Sequence, residues 1–73
     1  MKLPVVSGKE LLKFLSKRGF QVVGNKGSHV RMKKFVNGKV FVTVVPMHKR
    51  IDPGTLLSIL KQCELEKKDL EEL

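Results

Sequence analysis

Residues 28–45, Ser-His-Val-Arg-Met-Lys-Lys-Phe-Val-Asn-Gly-Lys-Val-Phe-Val-Thr-Val-Val, decide the fold of this 73-residue chain. Two runs rich in β-forming side chains flank Asn37-Gly38. An Asn-Gly pair between such runs is the strongest short-range hairpin signal, because both central residues of a type I′ turn need a positive φ. We therefore predict two antiparallel strands, over residues 28–36 and 39–45, that are joined by a two-residue turn.

The turn also sets the register of the predicted hairpin. The expected pairs are Val36 with Lys39, Lys34 with Phe41, Met32 with Thr43, and Val30 with Val45. Because side chains alternate between the two faces of a strand, one face receives an apolar set: Val30, Met32, Phe41 and Val45. The other face receives a cationic set: His29, Arg31 and Lys33. Val42 and Val44 also fall on the cationic face, so either that face is partly covered or a bulge changes the register.

A helix is predicted before the hairpin, over about residues 8–18. Ser7-Gly8-Lys9-Glu10 has the pattern of a capping box, in which the Ser7 hydroxyl accepts from the Glu10 amide while the Glu10 side chain reaches back. The apolar residues that follow share one side of this helix: Leu11, Leu12, Phe14 and Leu15. Gly19 stands where a left-handed residue would end the helix. Residues 20–23 are then a predicted strand, closed by a turn over residues 24–27.

A second helix is predicted after the hairpin, where Asp52 suits the N-cap and Pro53 the first helical position. Its apolar stripe is Leu56, Ile59, Leu60 and Cys63. Residues 66–73 are able to form a short third helix that uses Leu70 and Leu73. The order α-β-β-β-α indicates an α+β fold in a single domain over residues 1–73. We expect a three-stranded antiparallel sheet with both helices packed on one face, which leaves the other face open.

Charge is distributed unevenly along the chain, whose net charge is +8. Residues 1–50 carry twelve Lys and Arg against Glu10 alone, whereas residues 51–73 carry three Lys against six Asp and Glu. Such asymmetry in one small domain favours a surface that binds a polyanion, above all a nucleic acid. The alternative is that the lysines only keep the protein soluble.

Cysteine content and hydropathy indicate a compartment. Cys63 is the only cysteine, which excludes an intrachain disulfide and a thiolate metal cluster. The N-terminal apolar run is too short for a signal peptide, and no stretch approaches the ~20 apolar residues of a membrane span. We therefore expect a soluble, cytoplasmic protein with no membrane partner. Because Cys63 lies on an apolar stripe, it is predicted to be a core residue rather than a nucleophile.

His29 is the first candidate for chemistry, because it begins a strand and alternation places Arg31 and Lys33 beside it. Histidine exchanges protons near neutral pH, and metal-free RNA cleavage needs a base, an acid and cations that stabilise charge on the phosphate. Lys26 adds a cation. The Gly27-Ser28 pair offers close backbone approach and a hydrogen bond to a phosphate oxygen. From residue types alone, an ordinary surface histidine is the stronger alternative.

His48 is the second candidate, in the loop after Pro46, which ends the third strand. Beside Lys49 and Arg50, it is a complementary acid, a phosphate contact or simply a loop histidine, and the residues alone favour the last.

Two histidines without a neighbouring carboxylate make a poor metal site, so we expect no metal and no other cofactor. The chain lacks Tyr and Trp, and Phe35 is the only Phe expected to be exposed. Backbone recognition of RNA is therefore favoured over base stacking.

Four segments, taken in order, resemble the HicA toxin family. They are Gly19-Phe20, Lys26-Gly27-Ser28-His29, Val42-Thr43-Val44-Val45-Pro46-Met47-His48, and Gly54-Thr55-Leu56-Leu57-Ser58-Ile59-Leu60-Lys61-Gln62. The resemblance covers roughly residues 8–72. It implies a fold similar to the double-stranded RNA-binding domain and the activity of an mRNA interferase, a metal-independent endoribonuclease. It also places the catalytic histidine at His29 and implies a HicB-type antitoxin that covers the active face.

The sequence departs from the common pattern of the family at two positions. Val30 stands where a second polar residue is usual, and the Val44-Val45 segment before Pro46 is one residue longer than the common pattern, which suggests a bulge. The leading hypothesis is an mRNA-cleaving toxin that uses His29 as general acid/base. Its RNA contacts are expected from Lys26, Gly27, Ser28, Arg31, Lys33, His48 and Lys49. The alternatives are a non-catalytic RNA-binding module with the same surface and a protein-interaction domain for an acidic partner.

Overall fold

Residues 3–73 are described by a computed structural model of the chain. The elements are α1 (Gly8–Lys17), β1 (Gln21–Lys26), β2 (His29–Val36), β3 (Lys39–Pro46), α2 (Pro53–Gln62) and a C-terminal 3₁₀ helix (Lys67–Glu72). The three strands form one open antiparallel sheet with β2 in the centre. The predicted α+β class and the order α-β-β-β-α are therefore confirmed.

The β2–β3 hairpin has the predicted turn and register. Asn37 and Gly38 have φ values of 47° and 80°, as a type I′ turn requires. The pairing runs without a shift from Val36 opposite Lys39 to the far end of both strands, and it includes every predicted pair. The bulge expected at Val44-Val45 is therefore wrong. Both residues lie in a regular ladder, because the tight turn fixes the register along the whole hairpin.

The irregularity of the sheet lies in β1 instead. The pairing of β1 with β2 shifts between Val22 and Gly24, which leaves Val23 as the additional residue of a bulge. Beyond the bulge β1 continues to Lys26, so the turn predicted over residues 24–27 is wrong. Only residues 27 and 28 form the turn. Residues 24–26 have the composition of a turn, yet their backbone groups pair with β2.

The helix ends match the sequence signals. The Ser7 hydroxyl accepts from the Glu10 amide at 3.1 Å, and the Glu10 carboxylate accepts from the Ser7 amide at 3.1 Å. Gly19, just beyond α1, has a φ of 95°. At the start of α2, the Asp52 carboxylate accepts from the Gly54 amide at 3.1 Å. Both predicted N-caps are confirmed, and each cap of this kind contributes about 1 kcal/mol.

The core lies between the two helices and one face of the sheet. The sheet contributes Val30, Met32, Thr43 and Val45, all at most 6% exposed. The helical part contributes Leu11, Phe14, Leu15, Leu56, Ile59, Leu60 and Cys63. Because both helices bury their apolar stripes in this one cluster, both cover the same face of the sheet, as predicted. Phe41 is only half-buried and packs against the margin of the cluster.

The C-terminal 3₁₀ helix closes one side of the core. Leu70 is buried in the core, whereas Leu73 is 47% exposed. Of the two leucines predicted to attach this helix, only Leu70 does so. Arg18 at the end of α1 donates to Glu72 Oε1 at 2.7 Å and to Asp69 Oδ1 at 3.5 Å. This cation therefore has a structural role.

Candidate functional site

The face of the sheet opposite the helices is open. Residues that pair across antiparallel strands project to the same face, so the position of His29 identifies its neighbours. Lys26 on β1 and Pro46 on β3 flank His29. We call this surface the open face, formed by the outward-facing residues of the three strands: Gln21, Gly24, Lys26, His29, Arg31, Lys33, Phe35, Val40, Val42 and Val44. Pro46, at the end of this face, is itself buried.

The open face is positively charged and contains no carboxylate. The chain has no Asp or Glu between Glu10 and Asp52, an interval that includes the whole sheet. His29, Lys26 and Arg31 are exposed, and Lys33 is half-buried. Within residues 3–73, the ion pairs use other cations. The charges of the predicted set are therefore uncompensated and free to attract an anion.

The second histidine lies beside the first. Because Pro46 is opposite His29, the loop that follows β3 begins beside the start of β2. The ring centroids of His29 and His48 lie 6.3 Å apart, and the ring planes are at 73° to each other. Both residues are exposed. The structure thus brings together the two histidines of the chain, whereas the sequence had left the placement of His48 open.

The loop that carries His48 is held by backbone hydrogen bonds on two sides. The Met47 amide donates to the Ser28 carbonyl at 2.6 Å, which joins the loop to the turn before His29. The Gly8 amide donates to the His48 carbonyl at 2.9 Å, which joins it to the start of α1. A Cβ at Gly8 would clash with the Pro46 carbonyl oxygen and lie 2.6 Å from Met47 Cα. The close approach therefore requires glycine.

The turn before His29 is compact and accessible. Gly27 has a φ of 61°, and no atom lies within 4 Å of the position that a Cβ would take. Ser28 follows it and is exposed. At the other end of the site, Lys49 is exposed beside His48. The predicted RNA contacts therefore converge from three segments: the β1–β2 turn, the start of β2 and the loop after β3.

An apolar stripe borders the cations on the open face. Val40, Val42 and Val44 are 52%, 41% and 40% exposed, and Phe35, opposite Val40, is 71% exposed. Neither of the two explanations offered by the sequence applies within residues 3–73: the register is unshifted, and the valines are uncovered. Contiguous exposed apolar residues of this kind are typical of a contact surface.

Cys63 is buried, 6% exposed, and contacts the covered side of the sheet. Burial raises the pKa of its thiol from 9.0 to about 11, while the Thr43 hydroxyl and the charge of Lys34 act in the opposite direction. The Thr43 hydroxyl also donates to Gln62 Oε1 at 2.8 Å, so this buried polar group is satisfied. A buried thiol with a raised pKa is a poor nucleophile.

A metal site, a membrane-spanning helix and a separate cavity are the other features to consider. Across residues 3–73, no group of three or more His, Cys, Asp or Glu side chains is placed to hold a metal ion. In the same part of the chain, no helix is long and apolar enough to cross a membrane. A cavity of about 100 Å³ lies between α1 and the C-terminal residues, lined by Glu10, Lys13, Phe14, Lys17, Glu72 and Leu73. It does not include either histidine.

Fold and site together define a small α+β protein whose open sheet face is cationic and carries two adjacent histidines. A family model described as the HicA toxin of bacterial toxin–antitoxin systems matches residues 8–65. Since this match covers most of the 73 residues, the chain belongs to the HicA toxin family, and the resemblance in the sequence is confirmed. The protein is thus a toxin of a toxin–antitoxin system, and it has an antitoxin as partner. No curated protein and no solved structure showed significant similarity to the chain.

Proposed function

We propose that this toxin is an mRNA interferase, an endoribonuclease that cleaves RNA without a metal ion and uses His29 as general acid/base. The observation that carries the proposal is the position of His29. It is exposed at the start of β2, with Lys26 opposite and Arg31 two residues along the same strand, on a face without carboxylates. The cytoplasm, where mRNA is translated, is the proposed place of action.

Cleavage of RNA without a metal uses the 2′-hydroxyl of the substrate as nucleophile. The 2′ oxygen bonds to phosphorus, the bond from phosphorus to the 5′ oxygen breaks, and the products are a 2′,3′-cyclic phosphate and a 5′-hydroxyl. One proton leaves the 2′ oxygen and one is added to the 5′ oxygen, and a positioned histidine accelerates such a transfer by about 10²–10⁴-fold. Arg31 and Lys33 stabilise the negative charge that develops on the phosphate.

Recognition in this proposal is directed at the RNA backbone. Lys26 opposite His29, the Gly27-Ser28 turn before it and Lys49 next to His48 are suited to phosphate groups. Phe35 is the exposed aromatic residue of the open face, and one ring gives little surface for stacking of successive bases. Binding is therefore expected to weaken steeply as salt concentration rises.

The proposed protein partner is a HicB-type antitoxin that covers the open face. The apolar stripe of Phe35, Val40, Val42 and Val44 supplies exposed apolar surface, and burying that surface against the antitoxin would stabilise the complex. The neighbouring cations favour acidic residues on the partner. An antitoxin on this surface would exclude RNA by occupying the same site.

The test compares wild-type protein with His29→Ala and His29→Asn, both induced in bacteria and purified. Asparagine can still form hydrogen bonds, but its amide does not act as a general acid or base near neutral pH. We expect wild type to arrest growth and cleave RNA, and both variants to lose about 10²–10⁴-fold in cleavage rate while they still bind RNA. Lys61→Ala, an exposed cation on α2, serves as the control and should remain active.

Four results would redirect or contradict the proposal. RNA that is bound but never cut by the wild type would favour the non-catalytic RNA-binding module. Absence of RNA affinity at moderate salt would favour the protein-interaction domain. Loss of cleavage in EDTA would contradict a metal-free mechanism, and full cleavage by His29→Ala would remove His29 from it.

A further inference from the structure

We propose that His48 is a second catalytic residue, so that His29 and His48 act as an acid/base pair across one phosphodiester. One histidine accepts the proton of the 2′-hydroxyl, and the other donates a proton to the departing 5′ oxygen. The inference rests on the proposed function, since it assigns the second of the two proton transfers that RNA cleavage requires. It goes further in giving a chemical role to the loop after β3.

The separation of the two rings fits this division of work. Each ring must reach its oxygen over about 2.6–3.2 Å. With centroids 6.3 Å apart, the rings of His29 and His48 are close enough for one phosphodiester lying against them to be within reach of both. Both side chains are exposed, so an RNA strand on the open face has access to both.

The two histidines are also held on one backbone scaffold. The residue before His48, Met47, donates from its amide to the carbonyl of Ser28, the residue before His29. The Gly8 amide donates to the carbonyl of His48 itself. The backbones of the two histidines are thus fixed relative to each other before RNA binds, and such preorganisation is what a two-point proton transfer needs.

Within residues 3–73, the other titratable groups do not offer a second proton donor or acceptor. Between residues 11 and 51 the chain has no Asp or Glu, and the thiol of Cys63 is buried on the covered side. Lys and Arg supply positive charge but are not suited to accept and return a proton near neutral pH. Because Lys26 and Arg31 already provide cations, a phosphate contact by His48 would add little, whereas a second proton-transfer group would complete the site.

The experiment measures kcat and KM for cleavage of a short RNA by wild type, His48→Ala and His48→Lys, with Lys49→Ala as the neighbouring control. We expect kcat to fall about 10²–10⁴-fold in both His48 variants. The control, in contrast, should mainly change KM. Lysine supplies a positive charge but not an imidazole, so a kcat near that of wild type in His48→Lys would show a phosphate contact and overturn the proposal. Thermal unfolding of each variant checks that the exposed substitution leaves the fold intact.

A modified substrate identifies which proton each histidine moves. When sulfur replaces the departing 5′ oxygen, the thiolate leaves without needing a proton. Of His29→Ala and His48→Ala, we expect one to regain cleavage with this substrate and the other to remain impaired. Rescue of neither or of both variants would overturn the pair. If wild type itself leaves RNA intact, the proposed function fails; if wild type is active and His48→Ala is unimpaired, only the pair fails.

Discussion

The two faces of the β2–β3 hairpin use alternate residues of the same strands for different purposes. On the covered face, Met32 and Thr43 are at most 2% exposed, whereas on the open face Val42 and Val44 are 40% exposed or more. One residue along a strand therefore separates a side chain that stabilises the fold from one that is available to a ligand. Fold and function can therefore be perturbed independently, by substitutions at adjacent positions.

The sharpest test of this separation uses two adjacent valines of β3. Val45 is fully buried, and Val44 is 40% exposed. We expect Val45→Ala to lower the free energy of unfolding by roughly 2–3 kcal/mol, from lost burial and an imperfectly filled cavity. For Val44→Ala we expect a change of about 0.5 kcal/mol or less. Denaturant unfolding measures both. Equal losses would contradict the assignment of the two faces.

α1, which covers one face of the sheet, contacts the loop that carries His48 at the edge of the other face. Gly8 is where the two backbones approach most closely. Gly8→Ala introduces a Cβ that must displace the backbone of Pro46 and Met47. We expect a loss of about 1–3 kcal/mol in the free energy of unfolding, as for other overpacked sites. Because the same backbone carries His48, the RNA cleavage rate should fall as well.

The control for Gly8→Ala is Lys9→Ala, which changes the next residue of the same helix but is exposed. Its stability should be within about 0.5 kcal/mol of wild type. A stable Gly8→Ala variant with normal cleavage would show that the close approach is not required.

The charge of the open face predicts a smaller effect, on binding alone. Arg31→Ala removes one exposed cation that no ion pair within residues 3–73 uses. We expect weaker RNA binding and a decrease of about 1 in the slope of log affinity against log salt, with stability unchanged. Lys61→Ala on α2 should leave the slope as it is. The same decrease for both variants would indicate binding over the whole surface.

The turn of the hairpin and the pairing of its two strands could be predicted because their signals are local. Asn37-Gly38 specifies the turn, the turn specifies the register, and alternation then places His29 and Arg31 on one face. In β1, local signals do not determine the structure. Gly24 and Asn25 have turn-forming side chains, but they lie in the strand because their backbone groups pair with β2, a tertiary effect that overrides local preference.

The candidate site was predictable only in part, for a related reason. The pairing of Val30 with Val45 already implies that Pro46 lies opposite His29. The path of the chain beyond Pro46, however, depends on hydrogen bonds between backbone groups of distant segments, and these leave no pattern in the side chains. The proximity of His48 to His29 therefore emerged from the structure rather than from the sequence.

The covered face also predicts a pH effect through Cys63. Burial raises the pKa of this thiol from 9.0 to about 11, so the unfolded chain releases the proton first as pH rises. The contribution of the buried thiol to stability is thus complete below pH 9 and is lost between pH 9 and about 11. We expect the difference in unfolding free energy between wild type and Cys63→Ala to stay constant near neutral pH and to decrease over that interval.

A matched probe is Val44→Cys in the Cys63→Ala background, whose thiol on the open face should react rapidly with an alkylating reagent while Cys63 in wild type reacts slowly. Equal rates for the two thiols would show that α2 opens readily and that the two faces are less distinct than the burial of Cys63 indicates.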